Sequence, residues 1–160
     1  MNDIKTYLNI LIESLDKKSK VLNDILELTK KQQQVINKEE LDLDEFEKIM
    51  DQKQKFIEEI GIIDSGFQST YDRIKDNIST QLNLYKDEII LLKQKITQTS
   101  EIGISIQVLE EKNKQNIENH FKRSKNKVKT FKKSRTSVAN YYKNMNKLHE
   151  NQSYFLDKKN

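Results

Sequence analysis

Residues 41–96 decide the fold class, and they read LDLDEFEKIMDQKQKFIEEIGIIDSGFQSTYDRIKDNISTQLNLYKDEIILLKQKI. Apolar side chains form a stripe through this stretch, and every step after Phe56 is three or four residues long. That spacing is the repeat of one face of an α-helix. The pattern predicts one long amphipathic helix over about residues 42–96.

The start of this helix carries the sharpest local signal in the chain. Asp42 can cap the helix, and Glu45 three residues later completes a capping box. Leu41 and Phe46 occupy the two positions of a hydrophobic staple. Six acids and no base lie between residues 39 and 47, which suits the positive end of a helix dipole. A metal site or a site for a basic partner is the alternative, but capping and the dipole account for these acids.

Two glycines mark the place where this helix is expected to bend. Gly61 and Gly66 bracket Asp64 and Ser65. The apolar period passes through the segment without losing phase, which favours a kinked continuous helix over a loop. We therefore expect a kink near residues 61–66.

Two further stripes predict the flanking helices. The first covers about residues 4–37, with Lys18 and Thr29 interrupting its apolar seam. A reversal is expected at residues 97–103, TQTSEIG, because Thr, Ser and Gly follow an unbroken helical run. The last helix covers about residues 103–148, with Asn113 in its seam. The prediction is an all-α fold, an elongated antiparallel bundle of three long helices.

Composition excludes several classes of protein. The 160 residues include no Pro, no Cys and no Trp, and 34% are apolar while 34% are charged. Ordinary globular domains contain about 45–50% apolar residues, so long thin helices fit better than a thick core. The amino terminus lacks the pattern of a signal peptide, and no window approaches the roughly 18–20 apolar residues of a membrane span. We expect a cytoplasmic protein.

Catalysis is not expected, because the chain offers few reactive groups. His120 and His149 are its two histidines, and neither has a carboxylate three or four residues away. Two histidines alone do not make a convincing zinc site, and the three glycines are too far apart for a phosphate loop. His120 is expected at the surface and His149 as a filler on an apolar seam. We expect no cofactor and no metal.

Charge is distributed unevenly along the chain. Residues 41–101 carry eight basic and thirteen acidic residues, and residues 102–160 carry fourteen basic and five acidic residues. Segments of opposite sign attract each other, which favours folding back. The basic run at residues 122–135 could contact nucleic acid, but it holds six Lys against two Arg, and only Phe131 could stack on a base. A solvated face is favoured, and the run is too polar for stable membrane insertion.

The carboxy-terminal stripe is the candidate partner-binding surface. We divide the chain into a bundle at residues 1–135 and a partner-binding segment at residues 136–160, whose residues 152–160 show no helical period. The candidate contacts are Val128, Phe131, Val138, Tyr141, Tyr142, Met145 and Leu148. Periodicity fits docking into the core and docking of a partner helix equally well. The partner hypothesis requires that the rest of the molecule leaves this edge uncovered.

Four segments together resemble the FlgN family of flagellar export chaperones. They are LNILIESLDKKSKVLNDILELTKKQQQVI at residues 8–36, KEELDLDEFEKIMDQKQKFIEEI at residues 38–60, IQVLEEKNKQNIENHFK at residues 106–122 and SVANYYKNM at residues 137–145. The layout of long helix, acidic turn, second helix and Asn-containing third helix covers nearly the whole chain.

The resemblance implies a function that composition cannot supply. Members of the family bind the carboxy-terminal region of hook-associated proteins, prevent their premature assembly and deliver them to the flagellar type III export gate. The family's carboxy-terminal segment holds the subunit, and a tyrosine there engages the gate, for which Tyr142 and Tyr154 are the candidates. The alternatives are a coiled-coil structural or adaptor protein without chaperone activity and a basic nucleic-acid-binding helical protein.

Overall fold

The computed structural model describes the backbone of residues 3–123 and 128–159 and the side chains of residues 4–123 and 135–150. These residues form helices and no strand, so the predicted all-α class is confirmed. The described helices are α1 at Asp3–Ile36, α2 at Leu43–Thr80, α3 at Lys86–Arg123 and α4 at Val128–Lys159.

The helices form a bundle in which neighbours along the chain run in opposite directions. α1 packs between α2 and α3, and α4 packs against α3 and α2 on the other side. α1 and α3 are parallel, because Thr29 meets Glu110 and Ile36 meets His120 further along both helices. α4 runs back along α3, since Arg135 lies over Phe121 while Tyr141 reaches Glu110. This is the up-down-up-down arrangement of a helical bundle.

The core divides into two clusters along the bundle, which we call the three-helix end and the four-helix end. The three-helix end is built from α1, α2 and α3 and contains Leu8, Leu11, Ile12, Leu15, Phe67, Ile74 and Leu92. The four-helix end adds α4 and contains Val21, Leu22, Ile25, Val35, Ile36, Phe46, Ile49, Met50, Ile60, Ile106, Ile117, Phe121, Val138, Tyr141, Tyr142, Met145 and Leu148. No described side chain of α4 belongs to the three-helix end.

The second helix ends earlier than predicted. The prediction carried it to residue 96, but α2 ends at Thr80 and α3 begins at Lys86. The hydroxyls of Ser79 and Thr80 donate to the carbonyl oxygens of Asp76 and Asn77 in the last turn of α2, where the carbonyl groups lack further backbone partners. A helix over residues 42–96 would measure about 80 Å, and α1 at about 50 Å could cover only part of it.

The reversal predicted at residues 97–103 is wrong, because α3 passes through this segment without a break. Thr97 and Thr99 donate to the carbonyl oxygens of Lys93 and Ile96 in the preceding turn, so their hydroxyls are satisfied inside the helix. Thr99 and Gly103 are buried, which places these small side chains on the packed face of α3.

The predicted third helix is also divided in two. The prediction ran from residue 103 to 148, whereas α3 ends at Arg123 and α4 begins at Val128. Folding back brings the apolar face of α4 against α2 and α3, which a single straight helix would leave in solvent. α4 continues to Lys159, although the sequence showed no helical period after residue 151.

The predicted start of α2 is confirmed. The Asp42 side chain accepts a hydrogen bond of 3.1 Å from the backbone N–H of Glu45. Phe46 is buried, and Leu41 packs against the same cluster. α2 is continuous through Gly61 and Gly66, and a Cβ at either position would meet no neighbouring atom.

Candidate functional site

The predicted partner-binding residues on α4 lie inside the bundle. Tyr141 and Met145 are each 1% exposed. Val138, Tyr142 and Leu148 are buried beside them. The expectation that the rest of the molecule leaves this edge uncovered is therefore wrong for this conformation. A role of these residues in partner binding stays a prediction.

Helical geometry explains why these five side chains are buried together. Val138, Tyr141, Met145 and Leu148 follow one another at three or four residues, and Tyr142 lies three residues before Met145. All five therefore share one face of α4, and that face packs against α2 and α3. Ile117 and Phe121 of α3, Phe46 of α2 and Ile36 of α1 belong to the same cluster. The four-helix end is completed by α4 docking.

A buried polar network joins all four helices where α4 docks. Oε1 of Glu110 on α3 accepts hydrogen bonds from Lys53 of α2 and from the Tyr141 hydroxyl of α4 at 2.6 Å. The Thr29 hydroxyl of α1 lies 3.3 Å from the same oxygen and donates its proton to the carbonyl oxygen of Ile25 at 2.7 Å. The Lys53 ammonium also donates to Oε1 of Gln32 on α1 at 2.7 Å. We call these five residues the Glu110 network.

Burial sets the electrostatics of the Glu110 network. Desolvation lowers the pKa of Lys53 to about 8, although the Glu110 carboxylate opposes the shift. Burial and the same carboxylate hold the pKa of Tyr141 well above its usual value. The Lys53 ammonium also lies 4.8 Å from the centroid of the Tyr141 ring, a favourable cation–π position. Tyr141 is therefore held as a neutral donor beside a buried ion pair.

The Glu110 network can specify how α4 docks. A buried charge pair is costly unless its hydrogen bonds are made, so an α4 shifted by one turn would leave Glu110 without its tyrosine donor. Tyr142 follows Tyr141 in sequence, yet its buried hydroxyl has no hydrogen-bond partner in the described part of the chain. Tyr141 is thus the polar anchor of α4, and Tyr142 contributes packing.

The residues of the Glu110 network were missed as a site, although a signal was present. Lys53 occupies a position of the apolar stripe four residues after Ile49 and three before Phe56, and Glu110 occupies one four residues after Ile106 and seven before Ile117. Two such positions of opposite charge on different helices indicate a buried pair. Thr29 was noted as an interruption of the first seam, and the structure places it in the network.

The three-helix end contains one polar pair of the same kind. Lys18 of α1 and Asp64 of α2 form an ion pair of 2.7 Å, and both side chains are buried. Burial raises the pKa of Asp64, and the nearby Lys18 ammonium opposes the shift. Lys18 was noted as an interruption of the seam, and Asp64 lies between the glycines of the predicted kink.

The two histidines differ from each other in their surroundings. His120 is half-buried, so it is only partly at the surface, and its Nε2 lies 2.7 Å from the carbonyl oxygen of Ile36 at the end of α1. His149 is buried, as a filler of an apolar seam should be, and burial lowers its pKa. Neither ring nitrogen of His149 has a hydrogen-bond partner among the described residues.

Some predicted residues lie outside the part of the chain whose side chains the structure describes. They are Val128, Phe131 and Tyr154. Among the described residues, no group of three or more His, Cys, Asp and Glu side chains could hold a metal ion. The described helices also include none that is long and apolar enough to cross a membrane.

Comparison with known proteins gives one result that bears on function. The family model described as FlgN protein matches residues 1–149, which include α1, α2, α3 and most of α4. Comparisons with curated proteins and with solved structures found no match. The resemblance seen in the sequence is confirmed, and the chain belongs to the FlgN family of flagellar export chaperones.

Proposed function

We propose that this protein binds the carboxy-terminal helical region of hook-associated proteins in the cytoplasm, prevents their premature assembly and delivers them to the flagellar type III export gate. The observation that supports this proposal is the family match over residues 1–149. The mechanism needs no nucleotide and no metal, because it consists of capture and release of a helix.

The apolar face of α4 is the proposed subunit-binding surface, and its burial defines how capture must work. Tyr141, Met145 and Leu148 are covered by the bundle, so a subunit helix cannot reach them while α4 is docked. The described side chains of α4 pack on α2 and α3 at the four-helix end, and none of them belongs to the three-helix end. We therefore expect the three-helix end to stay folded when α4 is released, and this release is the step at which capture occurs.

Release of α4 also sets the strength of binding. The apparent affinity falls with the fraction of molecules in which α4 is undocked, and ordering of the subunit segment reduces it further. Moderate affinity suits a chaperone that must give up its subunit at the export gate. Tyr142, one candidate for the gate contact, is buried when α4 is docked and could reach the gate only after release.

The direct test is capture of carboxy-terminal fragments of hook-associated subunits with α4 either free or locked. The Asn144 amide of α4 lies 3.5 Å from Oε1 of Gln54 on α2, so cysteines at these positions face each other. The chain contains no native Cys, and a short bis-maleimide will therefore react only there. We expect the crosslinked Gln54→Cys, Asn144→Cys protein to lose fragment binding.

The matched control is the same double variant blocked with N-ethylmaleimide, which carries the substitutions but not the crosslink. It should bind the fragment like the unmodified protein. Equal binding by the crosslinked protein would contradict release of α4, and failure of the unmodified protein to retain any hook-associated fragment would contradict the chaperone function itself.

A truncation that removes residues 136–160 is a weaker test than the sequence suggested. The scaffold hypothesis predicts that this truncation lowers helix content and melting temperature sharply, whereas the chaperone hypothesis predicts that most of the helix content remains. Because Tyr141 and Met145 belong to the core, the truncated bundle should lose stability under either function. The crosslink keeps the core intact and separates the two functions more cleanly.

A further inference from the structure

An open groove lies between the last turns of α3 and the middle of α4, on the outside of the four-helix end. Its cavity volume is about 490 Å³, within the range of about 300–1,000 Å³ that binding pockets usually have. Phe121, Val138, Ala139 and Tyr142 supply its apolar lining. We call this surface the α3–α4 groove. It has room for several side chains of a partner.

The rim of the α3–α4 groove is strongly basic. Lys114 and Lys122 border it from α3, and Arg135 and Lys143 border it from α4. Glu118 is the one carboxylate among the lining residues, which leaves a local net charge of +3. Within the described residues, none of these four cations forms an ion pair with a carboxylate. Their charge is available to a partner.

We propose that the α3–α4 groove binds an acidic amphipathic segment of a partner protein, which places apolar side chains in the groove and carboxylates at the rim. Charge complementarity steers such a segment to the groove, and burial of its apolar side chains holds it there. The groove is present while α4 is docked, so this interaction does not require the release of α4, although Val138 and Tyr142 belong to both surfaces.

The lining of the groove favours a protein segment over nucleic acid. Phosphates would satisfy the basic rim but would leave the apolar lining without a complement. Stacking on bases needs an open aromatic face, yet the Arg135 guanidinium lies 5.9 Å from the centroid of the Phe121 ring. Tyr142 is buried and packs edge-on against Tyr141 at a centroid distance of 5.0 Å.

The experiment uses the full chain and a fluorescein-labelled helical peptide of about 18 residues, with Leu on one face and Asp and Glu beside it, in the helix-in-groove register. Fluorescence anisotropy measures its affinity, and a peptide with Asn and Gln in place of the acids measures the contribution of charge. The groove variant is Lys122→Glu, Lys143→Glu. The matched control is Lys55→Glu, Lys112→Glu, which makes the same change in net charge at exposed positions away from the groove.

We expect the groove variant to bind the acidic peptide at least about tenfold more weakly, and the control to stay within about twofold of the unmodified protein. Ala139 is exposed within the groove, so Ala139→Trp should fill it and weaken binding with every charge in place. Circular dichroism verifies that each variant keeps its helix content.

Three results would overturn the proposal. The first is equal peptide affinity in the groove variant and its control. The second is binding of a short DNA duplex that depends on Lys122 and Lys143 more strongly than binding of the peptide does. The third is a dimer, seen by sedimentation, that forms through the acidic turn at residues 39–47 of a second copy and is lost in the groove variant.

Discussion

The three-helix end and the four-helix end share the same helical period but differ in what interrupts it. At the three-helix end, one Lys18–Asp64 pair lies among aliphatic and aromatic side chains of α1, α2 and α3. At the four-helix end, the Glu110 network links all four helices, and α4 supplies one of its donors. The described side chains of α4 complete the second end and contribute none to the first. The proposed function lies at the end of the bundle that α4 completes.

The largest expected effect follows from removing the acceptor at the centre of the Glu110 network. Glu110→Ala leaves the Lys53 charge buried without its partner and the Tyr141 hydroxyl without its acceptor. We expect a loss of about 3–5 kcal/mol in the free energy of unfolding, measured by urea denaturation. A loss of this size leaves little folded protein to measure, so the triple variant Lys53→Met, Glu110→Leu, Tyr141→Phe provides a second test. The triple variant should be as stable as the unmodified protein or more stable. A less stable triple variant would argue against a desolvation penalty for the buried Lys53–Glu110 pair.

Breaking the Lys18–Asp64 pair of the three-helix end should lower the free energy of unfolding by less than Glu110→Ala does. Lys18→Met leaves the Asp64 carboxyl buried, but burial already raises the pKa of that group, so it can take up a proton. We expect the free energy of unfolding to fall by about 2 kcal/mol at about pH 7. The folded state then holds the Asp64 proton more tightly than the unfolded state does. The variant should therefore regain stability as the pH falls toward the pKa that Asp64 has in the unfolded chain. A loss that does not change between about pH 7 and pH 5 would contradict this account.

The two adjacent tyrosines of α4 provide a matched pair. Tyr141→Phe removes a buried hydrogen bond of 2.6 Å to the Glu110 carboxylate and should cost about 1.5 kcal/mol. Tyr142→Phe removes a buried hydroxyl that has no partner among the described residues, so it should change stability by less than about 0.5 kcal/mol or increase it. Equal costs in the same urea experiment would show that Tyr141 is not the polar anchor of α4.

The smallest effect concerns His149, which is buried with its pKa lowered by desolvation. The neighbouring charges are Glu110 and Glu111, which favour the protonated ring, and Lys53, which disfavours it. Since the unfolded state binds the proton more readily, stability should fall as the pH drops below about 6.5, by up to about 1 kcal/mol at pH 5.5. His149→Phe should reduce this dependence of stability on pH. An unchanged pH dependence would show that other groups cause it.

Much of the fold could be predicted, because helical period is a local property. The cap at Asp42 and the first helix depend on residues close in sequence, and the structure agrees with both. The turn at residues 81–85 could not be predicted from periodicity, because Leu82 and Tyr85 continue the stripe and neither Gly nor Pro marks the break. That turn is fixed by tertiary packing, since both α2 and α3 must bury their stripes on α1.

The candidate site was predicted less well, for a similar reason. Tyr141, Tyr142 and Met145 were identified as apolar and interface-prone, and their grouping on one face of α4 is correct. Whether that face meets its own bundle or a partner depends on the reversal between α3 and α4, which the helical pattern does not mark. Glu110 was not identified, because a charged residue in an apolar stripe can be recognised as buried only when its partner is known. Here the partner is Lys53, which lies on another helix.

Hydrogen exchange measured by mass spectrometry tests the central claim most directly, namely that α4 is released while the three-helix end stays folded. Without a partner, amides of residues 138–149 should exchange through a local opening, faster than those of residues 67–74. A bound hook-associated fragment should change the exchange of residues 138–149 and leave residues 67–74 unaffected. Equal protection of both segments, unchanged when the fragment binds, would contradict the account.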